Sequence, residues 1–103
     1  MLETFTIATF SGHRGETFRI HLESGKTIEA ELIEVTTLSA RSAQGTEVPR
    51  KRTPFSLVFR SPASTRLVQS IYKMEHPAIG AFALFLVPIG LDEKGLRCEA
   101  IFT

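Results

Sequence analysis

Apolar residues recur at every second position along most of this chain, and helical spacing is nearly absent. Phe18, Ile20 and Leu22 alternate with Arg19, His21 and Glu23, and Ser24-Gly25-Lys26 then supplies a tight turn. Thr27 opens a second strand with Ile28, Ala30 and Leu32 on one face, so the pair predicts a β-hairpin with one wet side. At Leu32-Ile33 the apolar phase slips from even to odd positions and continues through Val35. Side chains alternate across a sheet with period two, so a one-residue slip predicts a β-bulge or a corner.

The polar stretch 39–53, with Gly45 and Pro49, is the longest loop candidate. Alternation resumes in Pro54-Phe55-Ser56-Leu57-Val58-Phe59-Arg60, and Ser61-Pro62-Ala63-Ser64-Thr65 is a turn cluster. A fourth strand is predicted from Leu67 to Met74, broken by Glu75-His76-Pro77, and a fifth from Ala81 to Val87. Gly90 to Gly95 reads as a turn around Asp92-Glu93-Lys94, and Leu96 to Phe102 as the last strand. Residues 5–10 suit either an extra strand or a short helical lid. The pattern as a whole predicts one all-β domain over residues 1–103, a six-stranded, mainly antiparallel meander that forms a small barrel or a sandwich. The fifth strand is apolar on both faces. One face meets the core, and the N-terminal segment or a partner chain must cover the other.

Composition supports a single self-sufficient domain. The 103 residues are 43% hydrophobic and include eight Phe, enough for a core without disulfides or metal. Cys98 is the only cysteine, which rules out an internal disulfide and a cysteine-based zinc site within one chain. Its strand has apolar or small residues at even positions, so Cys98 is expected as a buried small hydrophobe. The start lacks a basic n-region and a long apolar h-region, and the run from Ala78 to Leu91 is too short to span a bilayer. The sequence therefore reads as cytoplasmic, or as part of an exported assembly.

The net charge of +1 hides a segregation. Residues 1–40 carry three basic and six acidic groups, residues 41–73 carry seven basic groups against Glu47 alone, and residues 74–103 carry two basic and four acidic groups. The basic 50–66 segment, Arg50-Lys51-Arg52 with Arg60 and Arg66, could bind an anionic ligand or nucleic acid, with Tyr72 as the partly exposed aromatic. The acidic residues Glu23, Glu29, Glu31 and Glu34 alternate out of phase with the apolar set and are expected on the wet face. They could pair with the basic residues within the chain. Between subunits, the same complementarity would favour a head-to-tail contact.

The residues Phe55-x-Leu57-x-Phe59-Arg60, then Tyr72-x-x-x-His76-Pro77-x-x-Gly80-x-Phe82-x-Leu84-Phe85-Leu86-Val87-Pro88, then Glu99-Ala100-Ile101-Phe102 resemble a family of short bacterial proteins known only as a domain of unknown function. The resemblance covers about residues 16–102, and the His-Pro to Val-Pro segment is its most specific part. Members of that family sit beside genes for phage-tail-collar-like proteins, which implies a structural or assembly role and transfers no catalytic residue. Cys98 stands where the family more often has an aromatic, and Arg50-Lys51-Arg52 has no place in its pattern.

Catalytic chemistry finds little footing. A serine hydrolase needs a nucleophile, base and acid in register; this chain has one aspartate, Asp92, in a polar turn, and no Gly-x-Ser-x-Gly elbow. His76 sits between Glu75 and Pro77, where proline enforces an extended backbone, so it is expected to cap loop groups at a strand end. His13, His21 and His76 show no ligand spacing, and Gly12-His13-Arg14-Gly15 reads as a simple turn. The expectation is a non-enzymatic interaction module with no cofactor or metal and with a protein partner or a second copy. Its candidate contact residues are Arg50, Lys51, Arg52, Arg60, Glu29, Glu31, Phe85, Tyr72 and His76. The alternative is a barrel that binds nucleic acid or another anion through its basic segment.

Overall fold

Along most strands the buried side chains alternate with more exposed ones, the strand from Phe55 to Ser61 being buried on both faces, and the inward sets converge on a single core. The computed structural model describes residues 5–37, 54–65 and 67–102. A one-turn helix, α1 (Ile7–Ser11), precedes β1 (Thr17–His21), β2 (Thr27–Thr37), β3 (Phe55–Ser61), β4 (Ser70–His76), β5 (Gly80–Asp92) and β6 (Gly95–Phe102). The six strands close into a barrel in the order β1-β2-β3-β6-β5-β4, with every neighbouring pair antiparallel. Closure leaves no strand with a wholly free edge, although β5 pairs with β6 only from Val87 onward.

The barrel is not one continuous meander. Strands β1-β2-β3 and β4-β5-β6 are two three-stranded meanders joined along β3–β6 and β1–β4. The connection after β3 therefore crosses one end of the barrel, and its Leu67 is buried there. Leu67 thus lies before the fourth strand, which runs from Ser70 through His76. β5 is longer than its apolar run, reaching Asp92, with a register shift between Pro88 and Gly90. The turn that follows contracts to Glu93-Lys94. The shift expected near Ile33 is present, as the β2–β3 register breaks between Leu32 and Glu34.

The opposite end of the barrel is closed by aromatic rings. A helix of one turn is marginal in isolation, so α1 depends on what it buries. The Thr6 N–H donates to Thr9 Oγ1 (3.0 Å) at its start, and Phe10 points fully into the barrel. The Phe10 ring lies 5.6 Å from Phe5, 5.9 Å from Phe82 and 5.6 Å from Phe102, with Phe18 and Phe55 just beyond. Phe55 and Phe102, facing residues of β3 and β6, stack at 4.5 Å with rings nearly parallel. The N-terminal segment is thus a plug on the inner side of β5, where Phe82, Leu84 and Leu86 point, and it leaves the outer side of that strand uncovered.

One close approach demands a glycine. At Gly95, where β6 begins beside the end of β3, an added Cβ would run into the Ser61 carbonyl oxygen. Cys98 is buried in the barrel, and burial pushes its thiol up to about 11, so it serves as packing volume and not as a thiolate.

The plug carries a quantitative consequence. Phe10→Ala should cost about 3–5 kcal/mol of folding stability in a chemical denaturation series, whereas Phe85→Ala on the outside should cost about 1 kcal/mol or less. Equal losses at the two positions would contradict the placement of Phe10 as the end plug.

Candidate functional site

Among the described residues the polar side chains gather at three places on the barrel. The first surrounds His76, the last residue of β4, whose ring turns inward beneath α1 and rests 4.5 Å from the Phe18 ring. The Ala78 N–H donates to His76 Nδ1 (3.0 Å), so the turn after Pro77 is capped as the His-Pro step predicts. His76 Nε2 meets Glu16 Oε1 at 2.8 Å, and His13 Nδ1 meets the same oxygen at 2.8 Å. Glu16 is itself held by backbone, since its carbonyl accepts from the Leu32 N–H and the Gly15 N–H donates to the Leu32 carbonyl. Hydrogen bonds from His13 and then His76 hold the Glu16 carboxyl below its ordinary value.

His13, Glu16 and His76 bring three ligand-capable atoms within 4.8 Å of one another, a juxtaposition their sequence spacing does not announce. The hydrogen bonding decides what this cluster can do. A neutral imidazole has one donor and one acceptor nitrogen. Nδ1 of His76 accepts from Ala78, so its proton sits on Nε2 and points at Glu16. Metal-bound histidines present a bare nitrogen to the ion and donate the other N–H to an acceptor. Here that second nitrogen faces a donor. The donor set therefore does not fit a cation, and both ring nitrogens of His76 are engaged in tying α1 and its exit loop to the β4–β5 turn.

The second cluster crosses the β1–β4 seam on the outside. His21 Nε2 meets Glu75 Oε1 at 2.9 Å, and Arg19 Nη1 approaches the same oxygen at 3.8 Å. The His21 hydrogen bond lowers the Glu75 carboxyl below its ordinary value. A groove of about 450 Å³ opens beside it, between Arg19, Glu29 and Glu75 and the 77–80 turn. Its charges oppose one another across adjacent strands, with Arg19 facing Glu29 on one side and Glu75 on the other.

The third cluster locks the β5–β6 hairpin to β3. Arg60 donates from Nε (3.1 Å) and Nη2 (2.8 Å) to Asp92 Oδ2, while Asp92 Oδ1 accepts the Lys94 and Gly95 N–H groups, both at 2.8 Å. The Arg60 guanidinium, helped by those two amides, holds the Asp92 carboxyl down to about 2. Arg60 also stands opposite Glu31 in the β2–β3 register. Nearby, Arg97 of β6 reaches across β3 to Glu34 of β2 (3.2 Å).

The expected contact residues do not converge. Arg50, Lys51, Arg52 and Arg66 lie outside the described residues. Glu29 and Glu31 are exposed on β2, as expected from their phase, and Phe85 is exposed on β5. Tyr72 is not the exposed aromatic its sequence suggested. It is 8% exposed, inside the barrel, and its hydroxyl donates to the Val68 carbonyl (2.7 Å). Position 72 shares the inward phase of Met74, and the Val68 carbonyl at the barrel's end supplies the acceptor that a buried phenol needs. The exposed apolar groups that the sequence left unnoticed include Val68, Ile71 and Ile101, which are 70%, 67% and 57% exposed, together with Ile89 and Leu91 further along β5. Ile71 and Ile101 stand one residue out of phase with their inward neighbours, and that was the available signal.

These features define a class before they define a family: a small closed six-stranded barrel, plugged by an N-terminal helical turn, whose reactive side chains are bound to one another. The chain belongs to the family described as Domain of unknown function (DUF6916), whose model matches residues 5–102. No curated protein and no solved structure matches it. No helix among the described residues is long and apolar enough to cross a membrane.

Two outcomes follow from the geometry of these clusters. His76→Ala removes the partner of the Ala78 amide and of Glu16, and should cost about 1–3 kcal/mol of stability. Imidazole ¹⁵N spectra should place the His76 proton on Nε2; a proton on Nδ1 would free Nε2 and reopen metal binding at the cluster. The second outcome concerns acid. Asp92 has its pKa lowered by folding from 3.8 to about 2, so its ion pair stabilises fully above 3.8 and is lost as the pH falls through about 2. The stability gap between the native chain and Asp92→Asn should therefore narrow across that window, and a gap unchanged by acid would refute the Arg60–Asp92 pairing.

Proposed function

We propose that this protein is a non-enzymatic interaction module, a subunit or accessory of a larger assembly. The observation that carries this reading is an apolar band on the outside of the barrel. Ile71 of β4 stands directly opposite Phe85 of β5, both exposed, with Ile101 of β6 exposed on the adjoining strand and Val68 just before β4. Fully burying one such side chain is worth about 1.5–3 kcal/mol, and contiguous exposed apolar patches on a monomer mark contact sites more often than chance.

The polar clusters favour the same reading. A general base needs a nitrogen or oxygen free to face a substrate, and both ring nitrogens of His76 and both carboxylate oxygens of Asp92 already have partners in the chain. The association with phage-tail-collar-like genes that the family resemblance implies suggests the kind of assembly, one related to phage tails. The alternative, binding of nucleic acid or another anion, draws on Arg50, Lys51 and Arg52. It loses two of its supports here, because Arg60 is bound to Asp92 and Tyr72 is buried.

A photo-crosslinking residue placed at Ile71 should capture a discrete protein species in cells, and one placed at Glu23, in the β1–β2 turn, should not. Absence of any adduct from Ile71 would count against the interaction reading. Salt-sensitive binding of a single-stranded oligonucleotide would instead promote the anion-binding alternative.

A further inference from the structure

We infer that the partner seated on the Ile71–Phe85–Ile101 band is a second copy of this chain, related by a twofold axis that lies in the contact plane. The inference rests on the interaction reading above and names its occupant.

The argument begins with strand register. Ile71 pairs with Phe85, and the neighbouring outward pair on the same two strands is Lys73 with Ala83. On the other side of β5 the ladder to β6 ends at Val87 with Glu99, and exposed Ile101 lies two residues beyond on the same outward face of β6. Phe85 is therefore the centre of a small lattice of outward side chains. Ile71 and Ile101 flank it across the strands, and Ala83 and Val87 flank it along its own strand. Lys73 and Glu99 occupy diagonally opposite corners.

That layout is self-complementary. A twofold axis through Phe85, in the contact plane and perpendicular to the line from Lys73 to Glu99, brings Lys73 of one copy over Glu99 of the other, and Glu99 over Lys73. Phe85 then meets Phe85, with the strands of the two copies crossing steeply. A foreign partner would need one basic and one acidic group at the matching corners, whereas a second copy supplies both by symmetry. Among the described residues neither Lys73 nor Glu99 makes an ion pair, although Lys73 helps to hold the nearby Glu75 carboxyl down. Exposed Ala81 and Ala83 leave the surface low beside Phe85, giving the opposing ring room to seat. The charges of β2 and β3 that could have driven a head-to-tail contact are instead partly engaged within the chain, Arg60 with Asp92 and Glu34 with Arg97.

Sedimentation velocity of the full chain across micromolar to millimolar concentration tests this directly. The native protein should show a monomer–dimer equilibrium. Phe85→Asp, and independently Ile71→Lys, should be monomeric throughout with the native circular dichroism. Lys73→Glu and Glu99→Lys should each weaken the dimer about tenfold at low salt, and the double exchange should restore it to within about twofold of native. A native chain that is monomeric at every concentration would overturn the inference, as would a dimer that survives Phe85→Asp or a charge exchange that gives no rescue. A monomeric native chain whose Ile71 crosslinker still captures a different protein in cells would sink the dimer and leave the interaction reading standing.

Discussion

The insertion of Phe10 among five other phenylalanine rings is the contact on which the rest of this structure depends. A closed barrel pairs each strand with two neighbours but leaves two openings through which water could reach the core. Leu67 fills one end. The other is filled from outside the barrel by a helical turn that has no stability of its own. Docking that turn brings Glu16 under His76, and the paired imidazoles of His13 and His76 then hold the plug against the β4–β5 turn. Apolar packing and the polar latch support one another, since the latch is fixed only while Phe10 is seated.

The same economy runs through the polar surface. Each buried or half-buried titratable side chain in the three clusters meets an opposite charge or a backbone amide, and no buried side-chain nitrogen or oxygen among the described residues lacks a partner. Such networks fix geometry more than they add net stability. They also engage both ring nitrogens of His76 and both carboxylate oxygens of Asp92. The outer faces of β4, β5 and β6 follow the opposite rule, because apolar side chains there face solvent without a partner from the described residues. The contrast between satisfied polar clusters and an unsatisfied apolar band is what supports the proposed interaction role.

Much of this was legible along the chain. Period-two alternation located all six strands, and the phase slip at Ile33 marked the β2–β3 bulge because one extra residue inverts every later side chain. The His76-Pro77 step marked a strand end that needed a cap. Strand bounds were less legible. Leu67 was apolar for the sake of plugging an end, not for joining β4, and the Gly90 turn signal was a bulge within β5. Tyr72 was misjudged because its hydroxyl suggested exposure, when a single carbonyl acceptor inside the barrel's end was enough to bury it.

Inside and outside are local properties of a strand, since successive side chains point to opposite faces whatever the neighbours are. The sequence alone therefore determined the all-β class, the strand count and most of the core, but not the burial of Tyr72 or of the outer face of β3. Neighbourhood is not local. Joining β3 to β6 and β1 to β4 brings together residues as far apart as Glu16 and His76, or Arg60 and Asp92, and no spacing rule in the chain announces those meetings. Tertiary structure alone decided that the histidines form a latch, that Arg60 is held by Asp92, and that β5 keeps one apolar side dry and offers the other outward.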